Sequence, residues 1–283
     1  MAKIRLENIS YIYSAGTPYE IRALDDINLE IQEGSITGII GHTGSGKSTL
    51  MQLLNGLEKP TFGTVYLDDN DIWANPKSIT QIRFRVGLVM QYPEYQLFEE
   101  TVAKDIAYGP SNMGLGKEEI DKRVTSAANI VGLSSELLDK SPFDLSGGEK
   151  RRAAIAGVMA MTPEVLVLDE PAAGLDPVGR ATIFDAVEKY RAETGATIII
   201  VSHSMEDMAR ICDNIVVMAS GKVLMTGKTN EVFSRADELA ASGLDIPEIS
   251  KLMLMLRDMG VDICETPYTV ADAIKIIKKE ICK

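Results

Sequence analysis

The string GHTGSGKS at 41–48 has the spacing G-x-x-x-x-G-K-[ST] and lies between an apolar run, Ile36 to Ile40, and a segment of helical pattern. Its chemistry is capture of a polyphosphate. Gly41, Gly44 and Gly46 let the backbone curl so that successive amides point inward at phosphate oxygens. The helix that follows adds its N-terminal dipole. The expected phosphate-binding set is Gly41, His42, Thr43, Gly44, Ser45, Gly46, Lys47, Ser48 and Thr49. Lys47 suits a position between the β- and γ-phosphates, and the Ser48 hydroxyl suits Mg²⁺. A second cluster, VLVLDEP at 165–171, ends an apolar run with Asp169 and Glu170. Strand alternation would point these two carboxylates to opposite sides and give them different jobs. Asp169 suits the Mg²⁺ shell through water, and Glu170 suits polarising an attacking water as general base. A third apolar run, TIIIVSHS at 197–204, ends with His203, which a neighbouring strand position would bring near the γ-phosphate. Ser202 and His203 do not make a serine hydrolase, because no G-x-S-x-G turn occurs in the chain.

These residues need a scaffold of buried strands alternating with helices. KIRLENIS and ALDDINLEI read as short strands either side of a polar turn at Ser14 to Glu20. Further strands are predicted at Ile36–Ile40, Val86–Met90, Val165–Asp169, Thr197–Ser202 and Asn214–Met218. Helical patterns fall at Lys47–Leu54, Lys150–Met161 and Val178–Glu193. The alternation predicts an α/β fold with a mainly parallel sheet covered on both faces. Residues from about 91 to 161 read as a helical subdomain, and a tail of short helices follows from about 229. Within the tail, Glu248–Gly260 ends on a glycine and Thr269–Lys279 opens on a threonine cap; Met253, Met255 and Met259 read as core or interface packing.

Bulk properties exclude several roles. A net charge of −12 argues against nucleic acid and against direct adhesion to anionic lipid. No apolar run approaches the ~18–20 residues needed to span a bilayer. The start, MAKIRLENIS, lacks a signal-peptide core, and Cys212, Cys264 and Cys282 form neither a disulfide framework nor a zinc pattern. A cytosolic protein reaching membranes only through partners is expected.

LSGGEKRR at 145–152 places Ser146, Gly147 and Gly148 at the start of a predicted helix, a second anion site made of free amides. This string, about 20 residues before VLVLDEP and about 100 after the phosphate loop, resembles the signature of ATP-binding-cassette (ABC) ATPases. The resemblance covers roughly residues 3–228 and implies a P-loop NTPase fold: an ABC-type nucleotide-binding domain over 1–228 with an antiparallel β subdomain and a helical subdomain. The short helical C-terminal tail over 229–283 is expected to serve dimerisation. It implies ATP and Mg²⁺ as cofactors, with Ser146 and Gly148 facing the γ-phosphate of ATP held by a second subunit. By the same match Gln91 opens the Q-loop, reaching Mg²⁺ and the attacking water, and Gly174-Leu175-Asp176 forms the D-loop at the dimer interface. Tyr13 falls where the family stacks an aromatic on adenine, with Tyr11 close enough to compete. Glu149 departs from the glutamine of many members, which implies an altered ribose contact.

A narrower resemblance, carried by QYPEYQLFEETVAKDIAYGPSNMGL at 91–115 and SPFDLSGGEKRRAAIAGVMAMTPEVLVLDEPAAGLDP at 141–177, is to the ATPase subunits of energy-coupling factor transporters. It implies a paralogous or identical second ATPase, a transmembrane coupling subunit, a substrate-binding membrane subunit, and a place on the cytoplasmic face of the cell membrane. Glu94, Glu99 and Glu100 would meet basic coupling helices of the transmembrane subunit, in a segment limited by Pro93 and Pro110. Repair members of the wider family carry a long coiled coil for which the spacing here leaves no room. Translation members usually hold two cassettes in one chain.

Overall fold

The computed structural model describes residues 2–281 apart from 242, 245, 262 and 264–266, so Cys264 and Cys282 lie outside the described residues. The chain runs β1 (Ala2–Tyr13), β2 (Ile21–Gln32), β3 (Ile36–Ile40), α1 (Lys47–Leu54), β4 (Phe62–Leu67), β5 (Asn70–Asp71), α2 (Ile79–Arg85) and β6 (Val86–Val89). Four helices follow, α3 (Val102–Asn112), α4 (Lys117–Ile130), α5 (Ser135–Leu138) and α6 (Gly147–Met159). Then come β7 (Val165–Asp169), α7 (Pro177–Thr194), β8 (Thr197–Val201), α8 (Met205–Ile211), β9 (Asn214–Ala219) and β10 (Lys222–Lys228). The tail holds α9 (Thr229–Phe233), α10 (Ala236–Ala241), α11 (Glu248–Asp258) and α12 (Val270–Ile281).

Two sheets organise these elements. The larger has the order β10-β9-β3-β8-β7-β6 and is parallel except for β10, and the smaller, β2-β1-β4-β5, is antiparallel. The run-like hydrophobicity of β3, β7 and β8 follows from burial on both faces. Alternate residues serve two cores: Ile36, Leu166, Leu168, Ile198 and Ile200 pack with the helices. Ile39, Val165, Val167, Ile199 and Val201 pack with α1 and the antiparallel sheet. The three strands therefore cannot slip by one residue without exchanging these two environments. Register aligns Ile39 and Asp169 with Val201, so all three strands end at the same level.

Some expectations change. Pro110 does not limit a segment; it sits buried inside α3, and Pro93 opens a short 3-10 turn, Pro93–Gln96. The three tail methionines part company: Met253 is fully buried against Ile263 and Ala273, whereas Met255 and Met259 are exposed. Thr269 does accept the Asp272 amide, at 3.2 Å.

Lys3, Asp68, Arg85 and Glu164 fasten the antiparallel sheet to the central one. Lys3 Nζ lies 2.5 Å from Glu164, Arg85 Nε donates to Glu164 Oε1 at 2.6 Å, and both cations also bind Asp68. Arg85 first, then Lys3, holds the Glu164 carboxyl down at about 2, from an ordinary 4.5. The ionised form thus stabilises the fold fully above about pH 4.5, and that contribution is lost as pH falls toward 2. Because the Glu164 side chain is 41 % exposed, solvent screens much of the attraction. Glu164→Gln should cost about 1 kcal/mol at pH 7 by urea unfolding. The gap from the wild type should narrow steadily below pH 4.5.

Candidate active site

The common level of β3, β7 and β8 places three loops around one cleft of about 540 Å³ at their carboxyl ends. From the phosphate loop, Thr43, Gly44, Gly46, Lys47, Ser48 and Thr49 line it; from the neighbouring strand ends come Gln91, Asp169, Glu170 and His203. Gly41, His42 and Ser45, expected in the same set, shape the loop and leave the cleft wall to the others. A Cβ at Gly41 would stand 2.3 Å from the Met218 carbonyl, and Ser45, fully buried, returns its amide to the His42 carbonyl at 3.1 Å. Gly46 begins α1 with φ 101°, and a Cβ there would press on the Ala23 carbonyl at 2.7 Å. Only glycine lets the loop turn so close beneath β2.

Lys47 Nζ donates to the carbonyls of Gly41 (2.7 Å) and His42 (3.0 Å), which aims the buried ammonium back over the loop. Burial pushes its pKa below the ordinary value, opposed by Glu170 and Asp169. The carboxylates show the mirror effect. Burial raises Asp169, with Lys47 and His203 pulling it back. Burial pushes Glu170 up to about 7, with Asp169 adding to the rise. Burial and then Lys47 lower His203, so the imidazole is neutral at pH 7.

Asp169 and Glu170 do not face opposite sides as strand alternation predicts. β7 stops at Asp169, and Glu170 takes a left-handed backbone, φ 49°, its amide donating to the Val201 carbonyl at 2.9 Å. That turn brings both carboxylates into the same cleft. His203 Nε2 lies 3.2 Å from Glu170 Oε1 but off the hydrogen-bonding direction, and Oε1 is buried without a hydrogen-bond partner among the described residues. An acceptor so placed is suited to a water molecule arriving with a substrate.

Of the two tyrosines, Tyr11 is committed elsewhere: its hydroxyl donates to Glu58 at 2.6 Å and its ring packs on the core. Tyr13 lines the cleft, 38 % exposed, with its hydroxyl 3.1 Å from that of Thr49. Ile21, Arg22 and Ala23 complete this wall without having been singled out from sequence. The pairing of Tyr13 with Ile21 across the Ser14–Glu20 turn brings them there.

A second cleft, about 700 Å³, holds the other predicted residues. Ser146, Gly147 and Gly148 stand at the N-terminus of α6 on one side; Ala173, Gly174, Leu175 and Asp176 stand on the other. Ser146 caps α6 in a capping box: its amide and hydroxyl donate to Glu149 Oε2 at 2.8 and 2.6 Å. Glu149 thus serves the helix start. Asp176 caps α7, accepting the Gly179 amide at 2.6 Å. A Cβ at Gly147 would meet nothing within 4 Å, and one at Gly148 only Arg152 Nη1 at 3.9 Å. The chain's own packing does not require these bare positions.

Glu94 departs from the free docking role expected of it. Arg151 grips it with bonds of 2.9 and 2.5 Å, and Glu100 pairs with Lys104 at 2.5 Å. Among the described residues no three Asp, Glu, His or Cys side chains converge as a ready-made cation cage. No helix among them is long and apolar enough to cross a membrane.

A phosphate loop at the end of a central parallel strand, an acidic pair on the strand two positions away and a Ser-Gly-Gly helix start define a nucleotide-binding cassette. The chain belongs to the ABC transporter family, whose model matches residues 24–173, and it is an ATP-binding ATPase of that family. Among its relatives is the energy-coupling factor transporter ATP-binding protein EcfA2 of Clostridium tetani, 52 % identical over 281 residues, 99 % of this chain and 96 % of that protein. EcfA2 of Caldanaerobacter subterraneus is 54 % identical over 270 residues, 95 % of this chain and 94 % of its own. Among solved structures, cbiO1 of Clostridium perfringens, part of the ABC transporter complex cbiONQ, superposes with TM-score 0.76 at 41 % identity, covering 89 % of this chain and 98 % of that one. The ATP-binding cassette MJ0796, a dimer in a post-hydrolysis state bound to ADP and Pi, has TM-score 0.71 at 29 % identity, covering 80 % of this chain and 98 % of its own.

The raised Glu170 carboxyl has a stability consequence. Its protonated form favours the folded chain, a contribution complete below pH 4.5 and lost as pH rises through about 7. Glu170→Gln should therefore raise the unfolding free energy at pH 8 by about 2 kcal/mol, with no gain below pH 4.5, as read by urea titration at both pH values.

Proposed function

We propose that this chain is the ATP-hydrolysing subunit of an energy-coupling factor importer, powering uptake of a vitamin or metal-ion micronutrient from the cytoplasmic face of the cell membrane. The observation that carries the mechanism is the division of the phosphate-facing residues between two clefts. The first has the ammonium, the carboxylates and the histidine; the second has helix-start amides and two bare glycines. Each cleft alone is half a site. A head-to-tail pair of such subunits, a paralogue or a second copy, sets Ser146, Gly147 and Gly148 of one against the γ-phosphate held by the other.

Within the first cleft Tyr13 stacks on the adenine, and Lys47 with the loop amides binds the phosphates. Glu170 accepts the proton of the attacking water through its unpartnered oxygen, and neutral His203 contacts the γ-phosphate. The donor set fits Mg²⁺: Asp169 and Gln91 line the cleft, and the Ser48 hydroxyl is bonded to no side chain among the described residues. So few protein ligands suit an ion held largely by phosphates and water. Such an ion would neutralise charge on the β- and γ-phosphates. The relatives named as energy-coupling factor subunits, similar over nearly the whole chain, support the importer reading. An apolar groove of about 330 Å³ beyond Gln91, lined by Phe84, Phe98, Tyr108, Val158 and Met161, suits a helix of the transmembrane coupling subunit. A substrate-binding membrane subunit completes the assembly. The exposed Leu252 and Met255 of α11, with the exposed Met259 just beyond its end, give the tail a dimerisation surface.

Three outcomes are expected. Glu170→Gln should bind ATP as the wild type does and lose roughly 10²–10⁴ of hydrolysis in a phosphate-release assay; unimpaired turnover would remove Glu170 from the role of base. Gly148→Asp, at a position with room for a side chain, should keep ATP affinity within about two-fold and abolish hydrolysis; normal hydrolysis would refute the composite site. Replacing Phe98 and Tyr108 together by alanine should cut recovery of the transmembrane subunit in co-purification by about ten-fold or more while sparing ATP hydrolysis.

A further inference from the structure

Gln91 and Glu170 sit on different loops; Gln91 adjoins a strained backbone residue and Glu170 is one. Tyr92 has φ 55° and Glu170 has φ 49°, conformations that side-chain-bearing residues adopt only when their surroundings hold them there. One side chain reaches both. Arg151, one turn into α6, donates from Nε and Nη2 to Glu94 at 2.9 and 2.5 Å, a planar bidentate pair. Its Nη1 donates to the carbonyls of Pro171 at 3.4 Å and Ala173 at 2.5 Å, in the loop that leaves Glu170. The guanidinium also lies over the Tyr92 ring, 5.5 Å from its centroid. The side chains of Arg151 and Glu94 are only 4 % and 16 % exposed. With four of its N–H groups directed at the chain itself, Arg151 is not a free phosphate ligand, although it borders the second cleft.

We propose that Arg151 is a positioning residue for hydrolysis: through Glu94 and the carbonyls of Pro171 and Ala173 it fixes the Gln91 segment and the Glu170 loop relative to the helix that begins at Gly147. The three pieces of the site that must meet around one γ-phosphate are thereby set by one rigid fork. Lysine cannot replace it. A single ammonium carries the charge but cannot span a carboxylate on one side and two carbonyls on the other. The inference rests on the ATPase reading given above, and its failure is separable from failure of that reading.

The test is steady-state hydrolysis by the full chain in its purified assembly, with melting temperature measured alongside. Arg151→Lys should fold and retain KM for ATP within about two-fold, because Lys47 and its loop lie in the other cleft, while kcat falls roughly 10- to 100-fold. The double variant Glu94→Leu/Arg151→Met removes both buried charges, which restores most of the melting temperature that Arg151→Met alone loses. Its kcat should stay low, because the bonds to Pro171 and Ala173 are not remade. A pair serving stability alone predicts that kcat recovers with the melting temperature, and that result overturns the proposal. So does wild-type kcat in Arg151→Lys, which decides the matter if the double variant does not fold. If Lys47→Ala hydrolyses ATP as fast as the wild type, the ATPase reading itself has failed and this proposal falls with it.

Discussion

A buried ammonium beside one buried and one half-buried carboxylate is the interaction on which the molecule is arranged. Lys47, Asp169 and Glu170 each pay for desolvation, visible as a lowered lysine and two raised acids; the lysine and the acids partly relieve one another, whereas Asp169 adds to the cost at Glu170. That relief works only over a few ångströms, so the three strand ends must be held at fixed relative heights. The two-sided core does this. A one-residue shift of β7 or β8 would move a carboxylate or the histidine by ~3.3 Å along the strand and turn its core residues to the wrong face. The hydrophobic pattern of Val165–Asp169 and Thr197–Val201 is thus a positioning device for chemistry as much as a source of stability.

The same economy explains why the second cleft lies apart. A helix start offers amides and a partial positive end, which suit a phosphate approaching from outside, and side chains there would obstruct it. Packing among the described residues does not fill the open space at Gly147 and Gly148. On the proposed arrangement a two-fold axis makes the contact reciprocal, so a pair of subunits builds two complete sites from four halves. ATP then acts as an adhesive between subunits, and its cleavage weakens their joint. The groove beyond Gln91 is linked to this joint through the turn carrying Glu94.

Sequence made the catalytic strands and the phosphate loop legible because their signals are local. α1 and β7 begin and end where the motifs and apolar runs require. What escaped was set by distant pairing or backbone strain. Phe62–Leu67, Asn70–Asp71 and Ile79–Arg85 lack strong periodicity and owe their form to β1 and the central sheet. Glu94 reads as a free acid until α6 brings Arg151 beside it, 57 positions away. The turn at Glu170 overrides strand alternation at the one residue where alternation mattered. Tyr11 and Tyr13 are alike in sequence, and distant partners separate their roles: Tyr11 bonds Glu58 and packs on the core, while Tyr13 lines the cleft beside Thr49.

Strain at the site has to be borne by the surrounding fold. The left-handed backbones at Tyr92 and Glu170 cost of order 1–3 kcal/mol each, and the orphaned Glu170 oxygen adds a desolvation cost of similar size. Fully burying one large aliphatic side chain contributes ~1.5–3 kcal/mol, so a handful of the buried isoleucines, leucines and valines that flank β3, β7 and β8 offset these costs. The balance explains the placement of Arg151. Strain distributed over flexible loops would relax and take the reactive groups with it. On the proposed role of Arg151, strain gathered under one buried guanidinium bonded to both loops is held in place, and a movement of α6 reaches the Gln91 and Glu170 loops together.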